Sequence, residues 1–315
     1  MSKHGDTQTS LMRGMVWLSG LTALAAMLLR VLLMPTLRDS ETGRFVTSWI
    51  VVAVLLATLA VLAVLGTRVR TPRLEIGGKW TVPVSLALMA AGGSILLSTL
   101  WDVWRWFSVG QLPPPDTAMV TPVSGIAVML TFIFGILGGV VLIRLGLLLT
   151  AEGTTRRGMV SWGALAPVLW MWFRLARYEM SYASAVGLSE TFYDFMLFIF
   201  ELLFLFKMAR YVSGIGKVRS GSLLFFATAT AIFALSGPLT RLCMYLLGDS
   251  EAYLASQLAG LPDFALGVLA LVFAGALASG VGRTAAVDGP PQGQGSSPAD
   301  SSEAESLSAG EDSQL

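Results

Sequence analysis

The sequence predicts an all-α fold, a polytopic transmembrane helix bundle of about eight spans, on three observations. Only 13% of its 315 residues are charged and 54% are hydrophobic, whereas a soluble domain carries about 25% charge. The mean hydropathy is +0.70. The apolar residues form long runs and not a period that leaves one polar face, so lipid is the expected solvent.

Eight runs reach the roughly 20 residues that a span needs. Gly14–Pro35 is the first; it is too long for the core of a signal peptide and lacks a small-residue exit, so it reads as a retained span. Val46–Gly66 is a run rich in Val, Leu and Ala, followed by Arg68, Arg70 and Arg73. Val82–Val103 ends among Trp101, Asp102 and Arg105. Gly125–Leu147 carries Gly135 and Gly139, a spacing that lets helix backbones approach within the molecule. Met159–Tyr178 contains Pro167, which predicts a kink, and then Arg174. Thr191–Tyr211 holds Asp194 and Glu201. Ser222–Leu247 is kinked by Pro238 after Gly237 and carries Arg241. Asp263–Gly280 closes the set, with Gly275 and Ser279 as a second small-residue face.

Three parts follow along the chain: a short N-tail at 1–10, a transmembrane domain at 11–283 and an acidic tail at 284–315. The tail is Ser, Gly, Gln, Pro and Ala with six acids and no base. It cannot offset its ordering entropy and is expected to be disordered.

Charge orients the bundle. With eight spans, fourteen of the 21 basic residues fall on the side of both termini and six on the other, with Arg30 inside span 1. Short loops rich in Lys and Arg stay cytoplasmic. The expected location is the cell membrane, multi-pass, with the N- and C-termini cytoplasmic. The basic loops after spans 2 and 6 are expected to touch anionic lipid. A net charge of +1 offers no field for nucleic acid.

Composition also excludes chemistry. His4 is the sole histidine and lies in the polar N-tail, and Cys243 is the sole cysteine. Serine–histidine hydrolysis, histidine-bound zinc and haem ligation lack their central group, so no metal or cofactor is expected. Gly214-Ile-Gly216-Lys217 resembles the end of a phosphate loop, but Val218 stands where Ser or Thr belongs and the earlier glycine is missing. Asp194 and Glu201 are seven residues apart, ~10 Å along a helix, which is too far for a working carboxylate pair of the usual kind. No catalytic residue is assigned.

What remains is charge inside the bilayer. Glu201 lies about ten residues, or ~15 Å, into an otherwise apolar span, near the middle of a hydrocarbon core ~30 Å thick. An ionised carboxylate there costs roughly 2.5–3.5 kcal/mol or more. It must face the interior, pair with a cation or take up a proton. Arg30, Arg105, Arg174, Arg177 and Arg241 belong to the outer half, where guanidinium forks suit carboxylate and phosphate. Asp102, three residues before Arg105, is within reach of it along one helix. Glu201, Asp194, Arg30, Arg174 and Arg241 are therefore the candidate solute contacts. The expected function is a secondary-transporter-like or permease-like carrier of a small, perhaps anionic, solute. The alternatives are a non-catalytic scaffold or partner subunit whose charges pair structurally, and an intramembrane enzyme acting on lipid with carboxylates and arginines alone.

Overall fold

The computed structural model describes residues 2–36, 41–69, 78–109, 122–152, 163–181, 188–214, 219–246 and 254–287. Among them are eight α-helices and no strand: α1 (Ser2–Thr36), α2 (Glu41–Arg68), α3 (Thr81–Val109), α4 (Pro122–Glu152), α5 (Ala166–Ser181), α6 (Leu188–Ser213), α7 (Ser220–Leu246) and α8 (Leu254–Val287). Each overlaps the apolar run that predicts it. Helices are the expected outcome, because a span in lipid must satisfy its own backbone.

Six helices are long and apolar enough to cross a membrane: α1, α2, α3, α4, α7 and α8. The other two carry the charge. α6 has 26 residues broken by Asp194 and Glu201. α5 has 16 residues, only ~24 Å of helix. A 3-10 turn, Gly163–Leu165, precedes it and adds ~6 Å, bringing the pair to the thickness of the hydrocarbon layer.

Four boundaries differ from the sequence reading. Pro167 lies in the first turn of α5, where a missing N–H costs nothing, so it starts the helix and does not kink it. The run read back to Met159 falls partly outside the described residues. α1 extends back to Ser2, so the short N-tail continues the first helix as helix. α8 begins at Leu254, which places Pro262 and Asp263 inside it and not at its start. The tail at 284–315 is helical to Val287, and its remainder lies outside the described residues.

The helices pack as a closed ring. α3 packs on α4, α4 on α5, α5 on α6, α6 on α7, α7 on α8, and α8 back on α3. α1 and α2 lie against one flank of the ring: α1 on α7 and α8, α2 on α7 and α6. α7 and α8 are therefore central. Their membrane-crossing windows are 72% and 67% buried, against 28% for that of α1. Side chains such as Trp17, Leu32, Leu86, Ile126 and Met129 point outward, as a surface solvated by lipid requires.

Small residues set the closest approaches. On α3 and α4, Gly92 and Gly139 face one another, with Gly146 against the Ser85 carbonyl. The Gly135 and Gly139 face thus works within the molecule. So does Gly275, where a Cβ would sit 2.9 Å from the Trp80 ring. α6 meets its neighbours through rings: Phe200 stacks on Phe233 of α7, and Phe204 meets Phe273 of α8 edge-on. The Thr230 hydroxyl of α7 donates to the Phe200 carbonyl at 2.8 Å.

Candidate functional site: a buried charge cluster inside the helix ring

Arg174 and Arg177 are three residues apart on α5 and share one face. An arginine in lipid must turn that face toward protein, and both reach across the ring. The Arg174 fork grips Asp263 of α8 with both terminal nitrogens. Nη2 donates to Oδ2 at 2.9 Å, and Nη1 donates to Oδ1. The same Nη1 lies 3.9 Å from Oε2 of Glu201 on α6. One guanidinium therefore stands between two carboxylates on two different helices. Phe198 and Trp170 lie against it, with their ring centroids 4.7 and 5.4 Å from its central carbon. Guanidinium on aromatic faces is weakly hydrated and suits such a setting.

Arg177 extends the cluster. Its Nη1 is 3.6 Å from Oδ2 of Asp102 on α3. Among the described residues, five charged side chains from four helices thus meet in the ring: three acids, Asp102, Glu201 and Asp263, and two bases, Arg174 and Arg177. If all are ionised, the cluster carries one negative charge too many.

Exposure grades along it. The Glu201 side chain is 0% exposed, Asp263 6%, Arg174 13%, Asp102 19% and Arg177 28%. Ordered by exposure, the charges form a row from sealed Glu201 to half-buried Arg177. At the sealed end, neither carboxyl oxygen of Glu201 accepts a hydrogen bond from the described residues. That is costly for a buried acid.

The sequence-predicted residues separate on this map. Glu201 is at the heart of the cluster. Arg174 is there too, but its fork is taken up by the chain's own Asp263, so it is not an open outer contact. Asp194 lies seven residues earlier on α6 and is half-buried. Arg241 belongs to α7, and its side chain lies outside the described residues. Arg30 does not join Arg174 and Arg177 in the cluster. Its guanidinium carbon lies 3.8 Å from the centroid of the Tyr193 ring on α6. Asp102 pairs with Arg177 across the ring and not with Arg105 along its own helix.

Two partners escaped sequence reasoning. Asp263 follows Pro262, and a proline–acid pair reads as a helix start, so it passes for a boundary residue. Tyr193 is one aromatic among many in α6; only packing selects it. Among the described residues no group of histidine, cysteine or acid side chains could hold a metal ion. The chain matches no protein-family model, no curated protein and no solved structure; its apolar helices make it an integral membrane protein.

Proposed function

We propose that the chain is a carrier-like membrane protein for a small solute, with Glu201 as the acid that takes and releases a proton as the solute moves. The observation that carries this reading is the charge count in the ring, three acids against two bases, with the surplus acid fully buried. Neutrality there requires one proton or one further cation, and a buried charge that is left uncompensated is expensive. Asp263 and Asp102, which stand between Glu201 and Arg177 in exposure, are acids through which a proton can exchange with water. Pro262, beside Asp263, removes one backbone donor inside α8, and Pro238 does the same in α7. Interrupted helices beside a buried charge suit a bundle that rocks around a fixed site. In this reading the termini are cytoplasmic, and the row opens on the outer side of the cell membrane.

A specific contact favours a second reading. The Arg174–Asp263 fork ties α5 to α8 across the ring, which is what a structural lock in a scaffold or partner subunit would also do.

One experiment separates the two. The purified chain is reconstituted in liposomes containing a pH-sensitive dye, and a panel of carboxylates, phosphate and neutral metabolites is added outside. The carrier reading expects at least one solute to change the internal pH, and Glu201→Gln to abolish that change while the protein stays monodisperse and helical. If no solute moves protons in the unsubstituted chain, or if Glu201→Gln leaves the movement intact, Glu201 is not a coupling acid and the scaffold reading stands.

A further inference from the structure

We propose that Arg30 and Tyr193 form an oxyanion-binding shelf at the end of the bundle where α1 finishes and α6 begins. Its ligand is a phosphate or carboxylate group, carried either by a lipid headgroup or by a soluble solute.

Arg30 differs from the other mapped arginines of the bundle interior. Arg174 has Asp263 and Arg177 has Asp102. The guanidinium carbon of Arg30 lies over the Tyr193 ring, 3.8 Å from its centroid. Stacking uses the flat faces of the group and leaves its edge, with five N–H donors, pointing away from the ring. No carboxylate or carbonyl among the described residues takes those donors.

The shelf itself is fixed. The Tyr193 ring is 2% exposed, and its hydroxyl is tied to Ser236 Oγ and donates to the Phe233 carbonyl on α7. Phe233 also packs against the ring at 5.2 Å. A guanidinium resting on an immobile ring loses less freedom when it binds, and that is where a fork gains affinity. Depth points the same way. Arg30 lies five residues before Pro35, the end of the apolar run of α1, ~8 Å by helix rise, and is half-exposed. From there its long side chain can reach the level of lipid phosphates and of a solute entering from water. An arginine edge presented at that level matches oxyanions bidentately. Asp194, next to Tyr193, projects about 100° further round α6.

The assignment does not depend on carriage, because it is read by binding alone. The full chain is placed in nanodiscs of phosphatidylcholine, with or without phosphatidylglycerol. Inorganic phosphate binding is measured by equilibrium dialysis, and retained phosphatidylglycerol by native mass spectrometry. Phosphatidylglycerol retained with no phosphate bound identifies a lipid headgroup site; phosphate bound in pure phosphatidylcholine identifies a site for soluble solutes. In either case Arg30→Gln is expected to weaken binding roughly tenfold or more, as loss of a bidentate charged pair does. Tyr193→Leu should weaken it as well, and Tyr193→Phe, which keeps the ring, much less. Arg30→Lys keeps the charge but not the fork, and serves as the folded control with reduced binding. Binding of neither probe, or equal binding in Arg30→Gln, overturns the shelf. A silent flux assay with phosphate binding intact overturns the carrier alone.

Discussion

Arg174→Met is expected to destabilise the bundle by about 3–5 kcal/mol, the usual penalty for removing one partner of a buried pair. The variant leaves Asp263 and Glu201 facing one another across α8 and α6 with no cation between them. It also unties α5, whose 16 residues are too few to be held by apolar burial in lipid alone. Glu201→Gln should do the opposite. It removes the surplus negative charge, keeps the shape, and supplies an amide that can donate where both oxygens now lack a partner; stability should hold or rise. The two substitutions touch the same guanidinium, yet their signs differ, and this makes the charge count testable. Unfolding titrations in mixed micelles would read both. Asp263→Asn added to Arg174→Met should recover at least half of the loss, because the acid left behind is then neutral. Equal losses from Arg174→Met and Glu201→Gln would mean that the cluster is balanced in some other way.

The same residues show how far sequence carries. Glu201 is legible because a carboxylate in the middle of F-I-F-E-L-L-F has no cheap explanation in lipid. The eight apolar runs are legible for the same reason, since the solvent writes them. The partner of Arg174 is not, because Asp263 lies 89 residues away and sequence carries no register between helices that are not neighbours. The start of α5 is not legible, because hydrophobicity continues through Gly163 and Pro167, and only backbone geometry decides that the helix begins at Ala166. Arg30 was legible as a buried charge but not as a stacked one. Whether a long side chain snorkels to water or lies on a ring depends on which aromatic α6 presents, and eight of its residues are Phe or Tyr. Local physics is written in the chain; pairings across the ring come from packing.

Gly92 and Gly93, adjacent on α3, should respond to alanine in opposite directions. A Cβ on Gly92 would sit 2.6 Å from the Gly139 carbonyl oxygen and 2.8 Å from Ile143 Cγ1 of α4, whereas one on Gly93 would meet nothing within 4 Å. The obstacle at Gly92 is backbone, which cannot rotate away, so α3 and α4 must separate. In lipid no hydrophobic effect drives helices together, and close van der Waals packing is what such an interface has to lose. Overpacking of this kind costs about 1–3 kcal/mol, more for Gly92→Leu, and a Tm drop of roughly 2–4 °C per kcal/mol is expected for a chain near this size. Gly139→Ala should behave like Gly92→Ala, since its Cβ would sit 2.8 Å from the Gly92 carbonyl oxygen. Gly93→Ala removes a helix-interior glycine from open space and should be neutral or gain up to about 1 kcal/mol. Thermal unfolding of the matched pair in one detergent cancels every effect of composition and hydrophobicity, because both variants have the same composition. If Gly92→Ala and Gly93→Ala unfold together, α3 and α4 are not in backbone contact at this level, and the ring that brings Asp102 to Arg177 would have to close by another route.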